Sequence, residues 1–163
     1  MQPFENVNLA NDDTIILSPG EVYFGHNHKK IQTLLGSCVA ITVWHAKHRM
    51  GGMCHYLIAE QNNKDKFHQK NYRYGVNCLN YLLEKMSLYP PIREFELRLY
   101  GGSNMYDRVI SPSIGEANVA FAKSWAASMQ LTFIEEDILG KDCRTLVLNL
   151  LTGKTSLKKY QQK

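Results

Sequence analysis

The side chains with the most scope for nucleophilic and proton-transfer chemistry in this 163-residue chain are four cysteines and six histidines. One pairing among them is set up locally. Cys38 follows two small residues in "LGSC" (35–38), and His55 closes "GGMCH" (51–55). Between them lie the β-branched run "VAITVW" (39–44) and the polar break "HAKHR" (45–49); the return segment is "GGMCHYLIA" (51–59). Strand, turn and returning strand make a hairpin. Facing residues in a hairpin share a constant sum of residue numbers. A turn centred near Ala46–Lys47 gives a sum of about 93 or 94, which sets Cys38 opposite His55 or Tyr56. A slip of one residue exchanges the faces, so the register decides the matter.

The chemistry suits that placement. An imidazole beside a thiol favours the thiolate and can protonate a leaving group. Gly36 and Ser37 let a substrate approach the backbone, and nearby amides can hold an oxyanion. Against this, free cysteine is common core filler. Four cysteines and six histidines also make twenty-four pairs, so one close pair can be accidental.

The other candidates are weaker. Cys54 precedes His55 on the same strand and should face the opposite way, into a core. Cys78 falls on the apolar side of a helix, and Cys143 lies in a loop. His26, His28, His45 and His48 sit in polar turns, and their spacing matches no zinc pattern. There is no CxxC pair. Gly101-Gly102-Ser103-Asn104 reads as a tight turn or as the edge of a cleft, and lacks the spacing of a phosphate loop.

The elements that must position these residues follow from periodicity. "TIILSPGEVYFG" (14–25) is two short strands broken at Ser18-Pro19-Gly20. "GHNHKK" (25–30) reads as a loop, as does "EQNNKDKFHQKN" (60–71). Val76, Leu79, Leu82, Leu83 and Met86 predict a helix over 74–87, stopped by Pro90-Pro91. "EFELRLYGG" (94–102) alternates as a half-buried strand. A second helix is expected over 113–129, with Ser113 and Glu116 as a capping box. "LTFIEEDIL" and "TLVLNLLTG" complete the strands. The fold class is α/β of the α+β type, a mixed, largely antiparallel sheet with packed helices. One domain is expected over 14–157, after a loose arm (1–13) and before a basic tail (158–163).

Apolar residues make up 44% of the chain and charged residues 21%, an ordinary globular balance. The net charge of +4 is spread along the chain, which gives no nucleic-acid footprint. No signal peptide or bilayer-length apolar run is visible, so the cytoplasm, with reduced thiols, is expected.

Taken together, "LSPGEVYF", "TLLGSCVAITVW", "GGMCHYLI", "NYRYGVNCLNYLLEKM", "RLYGGSNM", "IGEANVAFA" and "LTG" resemble the chemoreceptor glutamine deamidases called CheD, from about Ile15 to Leu157. The resemblance implies an α/β sandwich like that of toxin deamidases such as cytotoxic necrotizing factor. It implies an amidohydrolase that converts glutamines of methyl-accepting chemotaxis receptors to glutamate through a cysteine thioester. No metal or organic cofactor is implied. Cys38 matches the family nucleophile and His55 its histidine. A threonine just upstream is the usual third member; Thr33 is the candidate, and an offset of one residue would select Gln32. Two departures are visible: Cys54 stands where many relatives are expected to carry Asn, and "LGKDCR" replaces a "GG…R" pattern while keeping Arg144. Some relatives also bind a CheC-type phosphatase. A non-catalytic receptor adaptor is the competing reading, and a general cysteine hydrolase is weaker because no papain-type motif appears.

Overall fold

A computed structural model describes residues 8–10, 13–60, 71–106 and 111–161. Ten strands and two α-helices follow one another as β1 (Asn8–Ala10), β2 (Thr14–Leu17), β3 (Val22–Gly25), β4 (Lys30–Leu35), β5 (Val39–His45), β6 (Met50–Tyr56), α1 (Gly75–Met86), β7 (Glu96–Gly101), α2 (Ile114–Ser128), β8 (Phe133–Ile138), β9 (Cys143–Asn149) and β10 (Thr155–Tyr160). The strands form two five-stranded sheets, ordered β1-β2-β4-β9-β10 and β3-β6-β5-β7-β8. Neighbours are antiparallel except β2–β4 and β7–β8. The expected mixed, largely antiparallel α+β architecture is therefore present, with two sheets in place of one.

Three layers result. The two sheets close on each other over Ile15, Leu17, Ile31, Leu35, Leu146 and Leu148 from the first, and Tyr23, Ala40, Trp44, Met53 and Tyr100 from the second. The second sheet also carries both helices on its other face. There Val39, Ile41, Val43, Cys54 and Tyr56 pack on Cys78, Leu79, Leu82 and Met86 of α1 and on Val119, Ala122 and Ala126 of α2. Being covered on both sides, β5 and β6 are buried at all seven of their residues. That explains why β5 reads as an unbroken apolar run.

Both helices fall where their apolar spacing puts them. Ser113 Oγ accepts the Glu116 N–H at 3.1 Å, a cap that stabilises α2 by about 1 kcal/mol. Three strands escaped the sequence pattern. β1 lies in the segment read as a loose arm. β4 begins at Lys30, the last residue of the expected loop, and its burial alternates because only one face meets the other sheet. β10 runs through Tyr160, so Lys158–Tyr160, read as tail, end an edge strand instead. Its lysines are typical of a strand that leaves one edge to solvent. The expected loop at 60–71 falls largely outside the described residues.

Candidate active site

The chain crosses from the first sheet to the second in three residues. Leu35 ends β4, Val39 begins β5, and Gly36-Ser37-Cys38 bridges them. Cys38 is therefore delivered to the end of the inter-sheet layer, where it is partly exposed. The hairpin pairs Ala40 with His55 and Val39 with Tyr56, a constant sum of 95. This corrects the sum of 93 or 94: Cys38 lies beyond the last pair rather than facing His55. Relative to a sum of 93 the face is preserved, and relative to 94 it is exchanged. Ala40 faces the inter-sheet layer, Cys38 precedes it by two residues and packs on the same cluster, and His55 stands opposite Ala40. Cys38 and His55 thus lie on one face, diagonal across the end of the hairpin, with no hydrogen bond between Sγ and Nε2 in the resting arrangement.

His55 is held from both ends of its backbone. Its N–H donates to Glu21 O at 3.1 Å, and its carbonyl accepts Gly20 N–H at 2.8 Å. The ring is fixed by Thr33, which β4 presents from the opposite sheet: Oγ1 lies 2.6 Å from Nδ1. The same hydroxyl donates to Leu17 O at 2.8 Å. A threonine hydroxyl has one proton. With that proton committed to Leu17, Oγ1 accepts from His55, so Nδ1 carries the hydrogen and Nε2 keeps a lone pair. Nε2 is buried and has no partner among the described residues. Leaving such a group unmade costs about 1–3 kcal/mol, which marks it as a place where chemistry is held ready. The structure brings Thr33 to the ring, whereas Gln32 lies on the opposite, outward face of β4 and lines a separate cleft with Lys30 and Val147.

The electrostatics correct one expectation. Burial pushes the His55 pKa down to about 4. Burial also raises the Cys38 thiol, against a smaller lowering by its own backbone amide. At neutral pH the resting pair is thiol and neutral imidazole, not the preformed thiolate that a nearby imidazole suggested. For both groups the leading cause is the cost of burying a charge.

The Gly-Gly segment is more than a tight turn. Gly102 N–H donates to Cys38 O at 2.9 Å and Ser103 N–H to Gly36 O at 3.0 Å. A Cβ on Gly101, where φ is +107°, would stand 2.3 Å from Cys38 O. No side chain fits, because the backbone itself clamps the cysteine loop. Ser103 is held in turn by Arg144. The buried guanidinium donates to Ser103 Oγ at 2.7 Å, to Leu139 O at 2.8 Å and to Asp137 Oδ1 at 2.8 Å. The retained arginine thus supports the segment that supports Cys38. Beside the loop opens a cleft of about 540 Å³, lined by Ser37, Met105, Tyr106, Pro112 and Ile114 among others. That is ample for one amide side chain and its neighbours.

Cys54 is fully buried beneath the helices, as strand alternation required, and Cys78 is fully buried on the sheet-facing side of α1. Cys78 Sγ donates to Tyr72 O at 2.9 Å. Sequence reasoning missed Asn118 and the supporting role of Arg144, since their bonds to Ser37 and Ser103 span 81 and 41 residues of chain. The one signal was the Gly-Gly-Ser run, whose glycines admit a close backbone approach.

Comparison with known proteins points to one family. The family model described as CheD chemotactic sensory transduction matches residues 57–159. The chain is 34% identical over 154 residues to the probable chemoreceptor glutamine deamidase CheD 1 of Chromobacterium violaceum, covering 92% of this chain and 79% of that protein. It is 32% identical to the probable chemoreceptor glutamine deamidase CheD 3 of Dechloromonas aromatica, over 85% of this chain and 83% of that one. A probable chemoreceptor glutamine deamidase CheD of Pseudomonas syringae pv. tomato is likewise 32% identical, with 88% of each chain covered. No helix among the described residues is long and apolar enough to cross a membrane.

Proposed function

Because this chain belongs to the CheD family, we propose that it is a glutamine deamidase of methyl-accepting chemotaxis receptors, with Cys38 as nucleophile, His55 as acid and base, and Thr33 as the residue that orients His55. The observation that carries the reading is the unpartnered Nε2 of His55, its tautomer fixed by Thr33, on the face that also carries Cys38.

The steps follow from the neutral resting pair. As sulfur attacks the glutamine carboxamide carbon, the thiol proton passes to Nε2. The C=O electrons move onto oxygen, and backbone amides of the Cys38 loop hold the oxyanion. The imidazolium at that moment is supported by its Nδ1–H bond to Thr33. Collapse of the tetrahedral species expels ammonia, which takes the Nε2 proton, and leaves a thioester. Water then gives its proton to Nε2 as it attacks, the C–S bond breaks, and sulfur recovers its proton. Glutamate is released, and the residues return to thiol and neutral imidazole. No metal or organic cofactor enters these steps.

The proposed substrates are the cytoplasmic portions of the receptors, which puts the enzyme in the cytoplasm. A CheC-type phosphatase is a proposed second partner on the resemblance of the sequence. The deciding test is incubation with receptor cytoplasmic fragments, followed by mass spectrometry and ammonia assay. Conversion of glutamine to glutamate, a gain of about 1 Da per site with one ammonia released, is the expected result. Unmodified glutamines together with tight receptor binding would replace the enzyme with an adaptor.

A further inference from the structure

Beyond the three side chains of the proposed reaction, one buried polar residue ties together the backbone segments that carry two of them. Asn118 lies in α2 and is 1% exposed. Its side-chain nitrogen donates to Ser37 O at 3.2 Å and to Leu57 O at 2.8 Å. Only the NH₂ end of an asparagine can serve two carbonyls, so the chemistry fixes which end is which. Ser37 precedes the nucleophile, and Leu57 follows His55 by two residues. The Tyr56 hydroxyl, from between His55 and Leu57, donates to the backbone carbonyl of Asn118 at 2.6 Å and seats the helix against β6.

The bond to Ser37 O sets the direction of the next amide. The C=O and N–H of a trans peptide point opposite ways. Among the described residues the cis peptides are at Pro90-Pro91 and Ser111-Pro112, so the Ser37–Cys38 peptide is trans. Drawing the Ser37 carbonyl inward toward α2 therefore turns the Cys38 N–H outward, away from the helix. The preceding peptide is fixed by the same logic, since Ser103 N–H holds Gly36 O and turns the Ser37 N–H away from the Gly-Gly segment. The Ser37 amide donates to no group among the described residues, and the Cys38 amide only to its own thiol. Donors aimed outward beside a nucleophile, bound to nothing but the attacking thiol itself, are what a developing oxyanion requires.

We propose that Asn118 is a positioning residue for the deamidation: it aims the Cys38 amide as an oxyanion donor and fixes the cysteine loop relative to the strand of His55. The inference rests on the deamidase reading above. It separates from a plain structural role because Cys38 can undergo two reactions. Deamidation passes through an oxyanion, while alkylation by iodoacetamide displaces iodide at a saturated carbon and forms none.

The experiment compares the wild type with Asn118→Ala and Asn118→Asp, the latter of similar shape but without the donors. Each is checked for folding by near-ultraviolet circular dichroism. The expected result is a fall of about a hundredfold in kcat on a receptor cytoplasmic fragment, the scale of losing an oxyanion donor. KM and the rate of Cys38 alkylation should stay within about threefold of wild type, since neither depends on that donor. Deamidation near the wild-type rate in a folded variant would overturn the proposal. So would equal falls in deamidation and alkylation, or failure of both variants to fold, each of which makes Asn118 structural only. If the wild type releases no ammonia, the deamidase reading fails first and this inference with it.

Discussion

Cys54, on the helix-covered face of the second sheet, and Cys78, on the side of α1 that packs against it, differ from Cys38, at the end of the inter-sheet layer, in surroundings rather than in residue type. The buried pair is enclosed by Val22, Tyr56 and Leu79, and burial pushes the Cys78 thiol well above its ordinary range, with Cys54 adding to the effect. Cys38 is only partly buried, shares its face with an imidazole, and sits in a loop whose carbonyls are all taken up by other elements. Adjacent residues of one strand make the point most sharply. Cys54 and His55 are consecutive, yet strand alternation sends one into the apolar layer beneath the helices and the other toward Thr33. Chemistry follows the face, not the neighbour in sequence.

The largest effect that can break this contrast is at the nucleophile. Cys38→Ala should abolish deamidation of receptor fragments while leaving the thermal unfolding midpoint nearly unchanged; turnover in that variant would remove Cys38 from the mechanism. Next comes the tautomer. Thr33→Val keeps the shape but leaves Nδ1–H and Leu17 O unpaired, and should lower kcat on the order of a hundredfold, within the range for acid–base machinery. Wild-type kinetics in Thr33→Val would show that burial alone orients the ring.

The third prediction concerns acid. The folded His55 pKa of about 4 lies below the unfolded value of 6.5, so the unfolded chain takes up a proton first as pH falls. Stability present above pH 6.5 is lost between 6.5 and about 4, on the order of 3 kcal/mol from this group. Denaturant unfolding of wild type and His55→Gln over that range isolates the contribution; parallel curves would mean that His55 titrates normally. The acid limb of kcat/KM should likewise fall near pH 4 rather than 6.5, because Nε2 must be unprotonated to act as base.

The smallest expected effect sharpens the contrast from the other side. Cys54→Ala should cost about 1–2 kcal/mol of stability, as a small core truncation does, and leave kcat unchanged. A large loss of activity without loss of stability would tie the helix-covered face to the chemistry after all.

Much of this was legible along the chain because it is local. The β-branched run of β5, the polar break after it and the returning β6 brought Cys38 and His55 to one neighbourhood, and Ser113 and Glu116 marked the start of α2. The register was off by one to two because the turn centre was judged from composition. The hydrogen bonds that set it run to β3 and β7 as well as within the hairpin. β10 was unreadable for a different reason: an edge strand covered on one face needs few apolar residues, and "TSLKKY" offers few.

Taken alone, the sequence specified the residue types and the hairpin that brings Cys38 and His55 into one neighbourhood, since a short turn needs no distant partner, but left open whether the two share a face. Only the tertiary structure decided that Thr33, from the other sheet, fixes the His55 tautomer, and that Gly102, Ser103 and Asn118 hold the cysteine loop. Those contacts join segments from 22 to 81 residues apart. No local pattern encodes them, because stacking the two sheets and seating α2 is what brings them within hydrogen-bond reach.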